Sequence, residues 1–183
     1  MNAPAVISIA VLTAGLAQSG AGQAVTLGDI AGAMAAPSSA AQSTNDWSAF
    51  ARLDGAKWKG KAPARGGNLY YWNGNVPIDD VGAGQLSLVG SQKAVQSATV
   101  GWPQNIHLAK VPQMLGAQFP KDTKLEQVRG ACPDERLSGS RIYRATLAGR
   151  KPLYLHIQFA AGDRGGSTST VEMEPQRNKG WIC

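Results

Sequence analysis

The sequence predicts an α+β protein: an antiparallel β-meander sheet with two or three short helices packed on one face and one disulfide. Three observations carry this. Period-two alternation of apolar and polar residues recurs along the chain, as in Leu153, Leu155, Ile157 and Phe159. The 22 glycines and 10 prolines punctuate it without a Gly-X-Y period, which excludes collagen and favours turns. The stretches between strand candidates are too short for the crossovers of a parallel sheet.

Residues 6–16 (VISIAVLTAGL) are a short apolar run, and Gly22-Gln23-Ala24 puts small side chains where a signal peptidase reads them. Residues 1–24 are therefore expected to be a signal peptide, although MNAPA lacks the usual positive charge. Residues 25–44, rich in Ala, Ser and Gly and poor in charge, are expected to be a flexible tether. A single domain is expected over 45–183.

That domain opens with a short helix over 46–53, capped by Thr44 or Asn45, with Trp47, Phe50 and Leu53 on one face. Residues 57–67 (KWKGKAPARGG) lack helical periodicity and suit an exposed strand or loop. Residues 68–72 (NLYYW) read as a strand, and Asn73-Gly74-Asn75 as a turn. Strands are expected over 85–89 and 94–102, separated at Gly90-Ser91. Residues 110–115 suit a helical turn, and 122–128 (DTKLEQV) a second helix with Leu125 and Val128 on one side. Strands over 140–147, 152–159 and 167–174 then form a three-stranded meander, with Tyr154, His156 and Gln158 on its polar face.

Composition bounds the function. Hydrophobic residues make up 43% of the chain, enough for a core, so wholesale disorder is excluded. Asp29 and Asp46 are the only ionisable side chains before Arg52, leaving 18 basic and 10 acidic groups from there onward. This excess favours an anionic partner: a protein with an acidic face, or an anionic polymer, nucleic acid among them. The mature chain holds no apolar run long enough to span a bilayer. Cys132 and Cys183 are the only cysteines and are expected to pair. Closing that loop of about 50 residues is worth up to about 4 kcal/mol and implies a periplasmic or secreted protein.

Chemistry-bearing motifs are sparse. No Cys/His cluster has zinc spacing, no GxSxG elbow or SxxK pair is present, and Gly82, Gly84 and Gly90 do not form a dinucleotide fingerprint, so no cofactor, metal or catalytic residue is assigned. His107 and His156 are the only histidines, and Asp79-Asp80 the most suggestive acidic pair, without calcium-loop spacing. The stronger signal is surface character. Lys57, Trp58, Lys59, Lys61, Arg65 and Tyr71 combine cations with aromatic rings, as interfaces do, and Arg141, Arg144 and Arg164 are further basic candidates. The expected function is an exported small binding protein, an envelope inhibitor or immunity-type protein that blocks a toxin or hydrolase. Two alternatives are a binder of anionic envelope polymers and a hydrolase using His107 or His156 with Asp79 or Asp80.

Overall fold

In the computed structural model, residues 24–78, 82–128, 140–158, 167–179 and 181 are described. Among them the chain forms three short α-helices and one antiparallel sheet of nine strands. The strands are β1 (Lys57–Trp58), β2 (Ala64–Gly66), β3 (Leu69–Ile78), β4 (Gly82–Gly90), β5 (Val95–His107), β6 (Lys124–Gln127), β7 (Arg141–Thr146), β8 (Leu153–Gln158) and β9 (Ser167–Glu174). Their order is β1-β3-β4-β5-β9-β8-β7-β6, with β2 also paired to β3. Two meanders therefore meet where β5 pairs with β9. After β5 the chain crosses by helix α3 (Val111–Gln118) to the far edge, where β6 begins, and the later strands return inward.

Alternation divides the sheet into two faces. Trp72, Val76 and Ile78 of β3, Leu86 and Leu88 of β4, Ala98 and Val100 of β5, Val171 and Met173 of β9, and Leu153, Leu155 and Ile157 of β8 point inward and are buried. Helices α1 (Leu27–Met34), α2 (Trp47–Ala51) and α3 cover that face, contributing Ile30, Met34, Phe50, Val111 and Leu115 to the same core.

Helix α1 corrects the expectation of a flexible tether over 25–44. Leu27, Ile30, Ala31 and Met34 recur at helical spacing and form a fully buried stripe, a pattern that the surrounding Ala, Gly and Ser obscure. Thr26 and Asp29 close a capping box: the Asp29 N–H donates to Thr26 Oγ1 at 3.0 Å, and the Thr26 N–H to Asp29 Oδ2 at 2.8 Å. The Val25 N–H donates to Pro77 O at 2.7 Å, and Lys151 N and Arg150 Nη1 bond to Ala36 O and Ala35 O at 2.9 and 3.1 Å. The folded unit thus includes residues well before Asn45.

Three further expectations change. Helix α2 is capped by Asp46, whose Oδ1 accepts from the Ser48 N–H at 3.0 Å, rather than by Thr44 or Asn45. Asn73-Gly74-Asn75 is no turn but the middle of β3, and the β2–β3 hairpin turns instead at Gly67, whose φ of 64° suits glycine. Gly74 is small because a Cβ there would lie 2.8 Å from Cε3 of Trp58, whose ring packs across it. Residues 124–127 form strand β6 rather than a helix, because pairing with β7 satisfies their backbone while Leu125 turns toward the core. Lys124 and Glu126 then share the outer side, 2.8 Å apart. The strands expected over 85–89, 140–147, 152–159 and 167–174 are present with small changes of boundary, and the one expected over 94–102 runs on to His107.

Residues 1–23, Asp79, Asp80, Cys132, Phe159, Arg164 and Cys183 lie outside the described residues. The expected signal peptide and disulfide fall there.

Candidate functional site

Between β1 and β3 the chain forms a flap over residues 57–66 at the β3 edge of the sheet. Lys57 stands opposite Asn75, Trp58 opposite Gly74, and the Lys59 N–H donates to Asn73 O at 2.7 Å. The Trp58 ring stacks on buried Trp72 with centroids 4.3 Å apart and planes 21° apart, so it fastens the flap to the core. Its indole nitrogen is buried and has no hydrogen-bond partner among the described residues. Lys57, Lys59, Lys61 and Arg65 are all exposed, and among the described residues none has an acidic group in salt-bridge range. Arg65 Nε donates to Gly67 O at 3.0 Å, which holds its side chain along the β2–β3 turn. Beside the flap stand the most exposed large apolar side chains, Tyr71 at 40% and Leu69 at 37%.

The structure therefore gathers these residues at one edge, Lys57, Lys59 and Tyr71 on its outward side and Lys61 between β1 and β2, whereas Trp58 faces inward as the anchor and Arg65, opposite Tyr70, takes the side away from Tyr71. Arg141 and Arg144 do not join them. They lie on β7, five strands from β3, and alternation puts them on opposite faces: Arg141 on the inward side, donating to Ser140 O at 3.1 Å, and Arg144 outward opposite Glu126. One continuous basic face combining both groups is thus not formed.

The other end of the outer face is built differently. His156 on β8 stands opposite Glu172 on β9, pointing outward as its alternation predicts, but it is fully buried rather than exposed. The reason is Trp181, whose ring stacks over the imidazole with centroids 4.9 Å apart. Nδ1 lies 3.6 Å from Glu172 Oε2, beyond hydrogen-bond length, and among the described residues neither imidazole nitrogen nor the Trp181 indole nitrogen completes a hydrogen bond. The facing imidazole is the main influence holding the Glu172 carboxyl below its usual pKa, helped by Ser97 and Trp181 against the opposing effect of burial. Burial pushes the neighbouring Glu174 carboxyl up, partly offset by Asn178.

This cluster is not a nucleophile–base pair. Ser97 Oγ donates to Glu172 Oε1 at 3.3 Å and not to the imidazole, and Trp181 blocks approach to His156. His107 is exposed, its Nδ1 accepting from the Ala109 N–H at 3.2 Å. Among the described residues no group of three His, Cys, Asp or Glu is placed to hold a metal ion.

An open groove of about 1000 Å³ runs between α1, α2 and the turn after β7. Arg52, Lys93 and Asp122 line it, and three more of its charged groups have structural work. Asp29 caps α1, Asp46 caps α2 with its carboxyl held below the usual pKa chiefly by the Ser48 side chain, and Arg150 binds Ala35 O. No helix among the described residues is long and apolar enough to cross a membrane. No family model, curated protein or solved structure matches this chain.

Among the outward side chains of β3, Asn73, Asn75 and Pro77 escaped the sequence reading, because Asn73-Gly74-Asn75 imitates a turn. The signal was the unbroken period-two run from Trp72 to Ile78, in which Asn73, Asn75 and Pro77 fall on one side.

Proposed function

We propose that this is an exported binding protein that engages a protein partner with an acidic face, through the flap over 57–66 and Tyr71 beside it. The carrying observation is the flap itself: four exposed cations without acidic neighbours among the described residues, fastened by a tryptophan stack next to an exposed tyrosine and leucine. Cations steer an acidic partner and aromatic rings anchor it. A toxin or hydrolase with an acidic cleft is the kind of partner such a surface would occlude. Export carries the expectation that Cys132 and Cys183 are paired. Trp181 lies over β8, and the Val128 N–H, four residues before Cys132, donates to Ile142 O on the adjoining β7, so the two approaches share one end of the sheet. Thiol titration of the unreduced, denatured protein should find no free thiol.

A second reading, an anionic-polymer binder, is favoured by the same unpaired cations. The two differ in their response to salt, since polymer binding weakens steeply as counterions are added. The test is capture from an envelope and secretome extract at low and moderate salt, using residues 24–183 and the variant Lys57→Glu/Lys59→Glu/Lys61→Glu. One stoichiometric protein kept by the parent at moderate salt and lost by the variant is the expected result. Release of everything by salt, or equal capture by the variant, would overturn the proposal.

A further inference from the structure

The outer face of β3, β4 and β5 carries two adjacent rows of uncharged polar side chains, flanked by Tyr71 and Val89 on one side and by Pro77 and Ala83 on the other. Strand register aligns Asn73, Ser87 and Thr99 in one row and Asn75 with Gln85 in the next. Lys57 extends the second row across β1, and Lys59 is tied by its backbone to Asn73 at the head of the first. Asn73, Asn75 and Gln85 are exposed, and Ser87 and Thr99 half-buried. None of these five side chains has a hydrogen-bond partner among the described residues, and no charged side chain occupies an outward position of the three strands. An exposed sheet face ordinarily mixes charges of both signs among its polar groups. Here five free amides and hydroxyls lie on a grid with spacings of about 4.8 Å across strands and about 7 Å along them.

We infer that this face binds a polysaccharide bearing acidic substituents. Each amide presents a donor beside an acceptor, and each hydroxyl offers both, which complements the paired hydroxyls of a sugar ring. Lys57 and Lys59 at the margin complement carboxylate or phosphate substituents, and Tyr71 at the same margin offers a ring face to the C–H face of a sugar. Two other classes fit less well. A protein partner anchored on Tyr71 and Val89 would centre its contact on their row and leave the amides at its margin, whereas here the amides and hydroxyls form the middle rows. Single-stranded nucleic acid would need successive stacking platforms, and Tyr71 is the one exposed aromatic among the described outward residues. The inference shares two lysines with the proposal above but rests on the amide rows, which that proposal does not use.

The probe is sodium alginate, a polyuronate, in affinity electrophoresis of residues 24–183, with neutral dextran and a thymidine 20-mer as comparisons. Alginate should retard the protein more than either. The double variant Asn73→Ala/Gln85→Ala should lose about tenfold in alginate affinity while its response to the 20-mer is unchanged. Its melting temperature should stay at the parent's value, since neither side chain is bonded or buried. Lys57→Ala/Lys59→Ala should weaken both interactions. Equal affinity for alginate and the 20-mer, indifference to the amide substitutions, or no alginate binding would each overturn the inference. The extract capture repeated with the amide variant separates the two readings: a protein partner still held shows that loss of the sugar reading leaves the flap reading standing.

Discussion

On the outer face of the sheet Tyr71 stands open to solvent, while His156, four strands away, is sealed beneath Trp181. Both occupy outward positions of strands whose alternate residues build the same core. At the β3 end the outward groups have no partners among the described residues: lysines without ion pairs on the flap and unbonded amides beside them. At the β8 and β9 end they are engaged with one another, Ser97 and His156 around the Glu172 carboxylate and Asn178 on Glu174. Alternation therefore decides which face a side chain takes, but a segment remote in sequence decides whether that face meets solvent. The end that stays open is the one suited to an external ligand.

The strongest way to break this comparison is to remove what supports both ends. Helix α1 lies against β5 and β9, where the two meanders join. A chain beginning at Asn45 should lose cooperative thermal unfolding altogether, whereas one beginning at Ala24 should keep it. Within α1, Ile30→Ala alone should cost about 2–5 kcal/mol in urea denaturation. Survival of a cooperative transition without α1 would restore the tether reading.

Next in size is Gly74→Val, which acts on the open end only. Its side chain would collide with the Trp58 ring, at a cost of about 1–3 kcal/mol, and should disturb the near-ultraviolet circular dichroism of the Trp58–Trp72 stack. The Trp181–His156 contact should be untouched. Trp181→Ala makes the complementary change. Because Trp181 is only half-buried and its indole nitrogen is unbonded, the expected cost is smaller, about 1–2 kcal/mol, with His156 becoming reactive to diethyl pyrocarbonate. An unreactive His156 in that variant would mean that something other than the ring seals it.

The smallest effect is electrostatic. The folded state holds the Glu172 carboxyl below its ordinary pKa, so the ionised form stabilises the fold above about pH 4.3, and this contribution is lost as the pH falls through the lowered value. Glu174, pushed up by burial, acts in the opposite sense, its share growing as the pH falls. The parent should therefore lose melting temperature more steeply below about pH 4.3 than Glu172→Gln. Parallel acid limbs for the two would remove the stabilising role of the Glu172 carboxylate.

How much was legible in the sequence follows from where the information lies. The C-terminal meander was readable because Leu153, Leu155 and Ile157 alternate without interruption and a turn residue precedes them. Helix α1 was hidden by its own composition, since Ala and Gly between Leu27, Ile30 and Met34 resemble a linker even though the apolar spacing is helical. Strand β6 was ambiguous in itself: Leu125 and Val128 fit a helix, and only the distant β7 decides the matter. The cationic flap was visible as a cluster of residue types. Its separation from Arg141 and Arg144, and the burial of His156, depend on strand order and on the path of the C-terminal tail, which local periodicity does not encode.

The open, flap-bearing end of the outer face is the surface proposed for binding. Lysine acetylation footprinting tests it most directly, comparing residues 24–183 in buffer and in the envelope extract. Acetylation of Lys57, Lys59 and Lys61 should fall in the extract, with Lys124 and Lys179 unchanged. Protection of Lys124 or Lys179 with the flap lysines fully modified would contradict it.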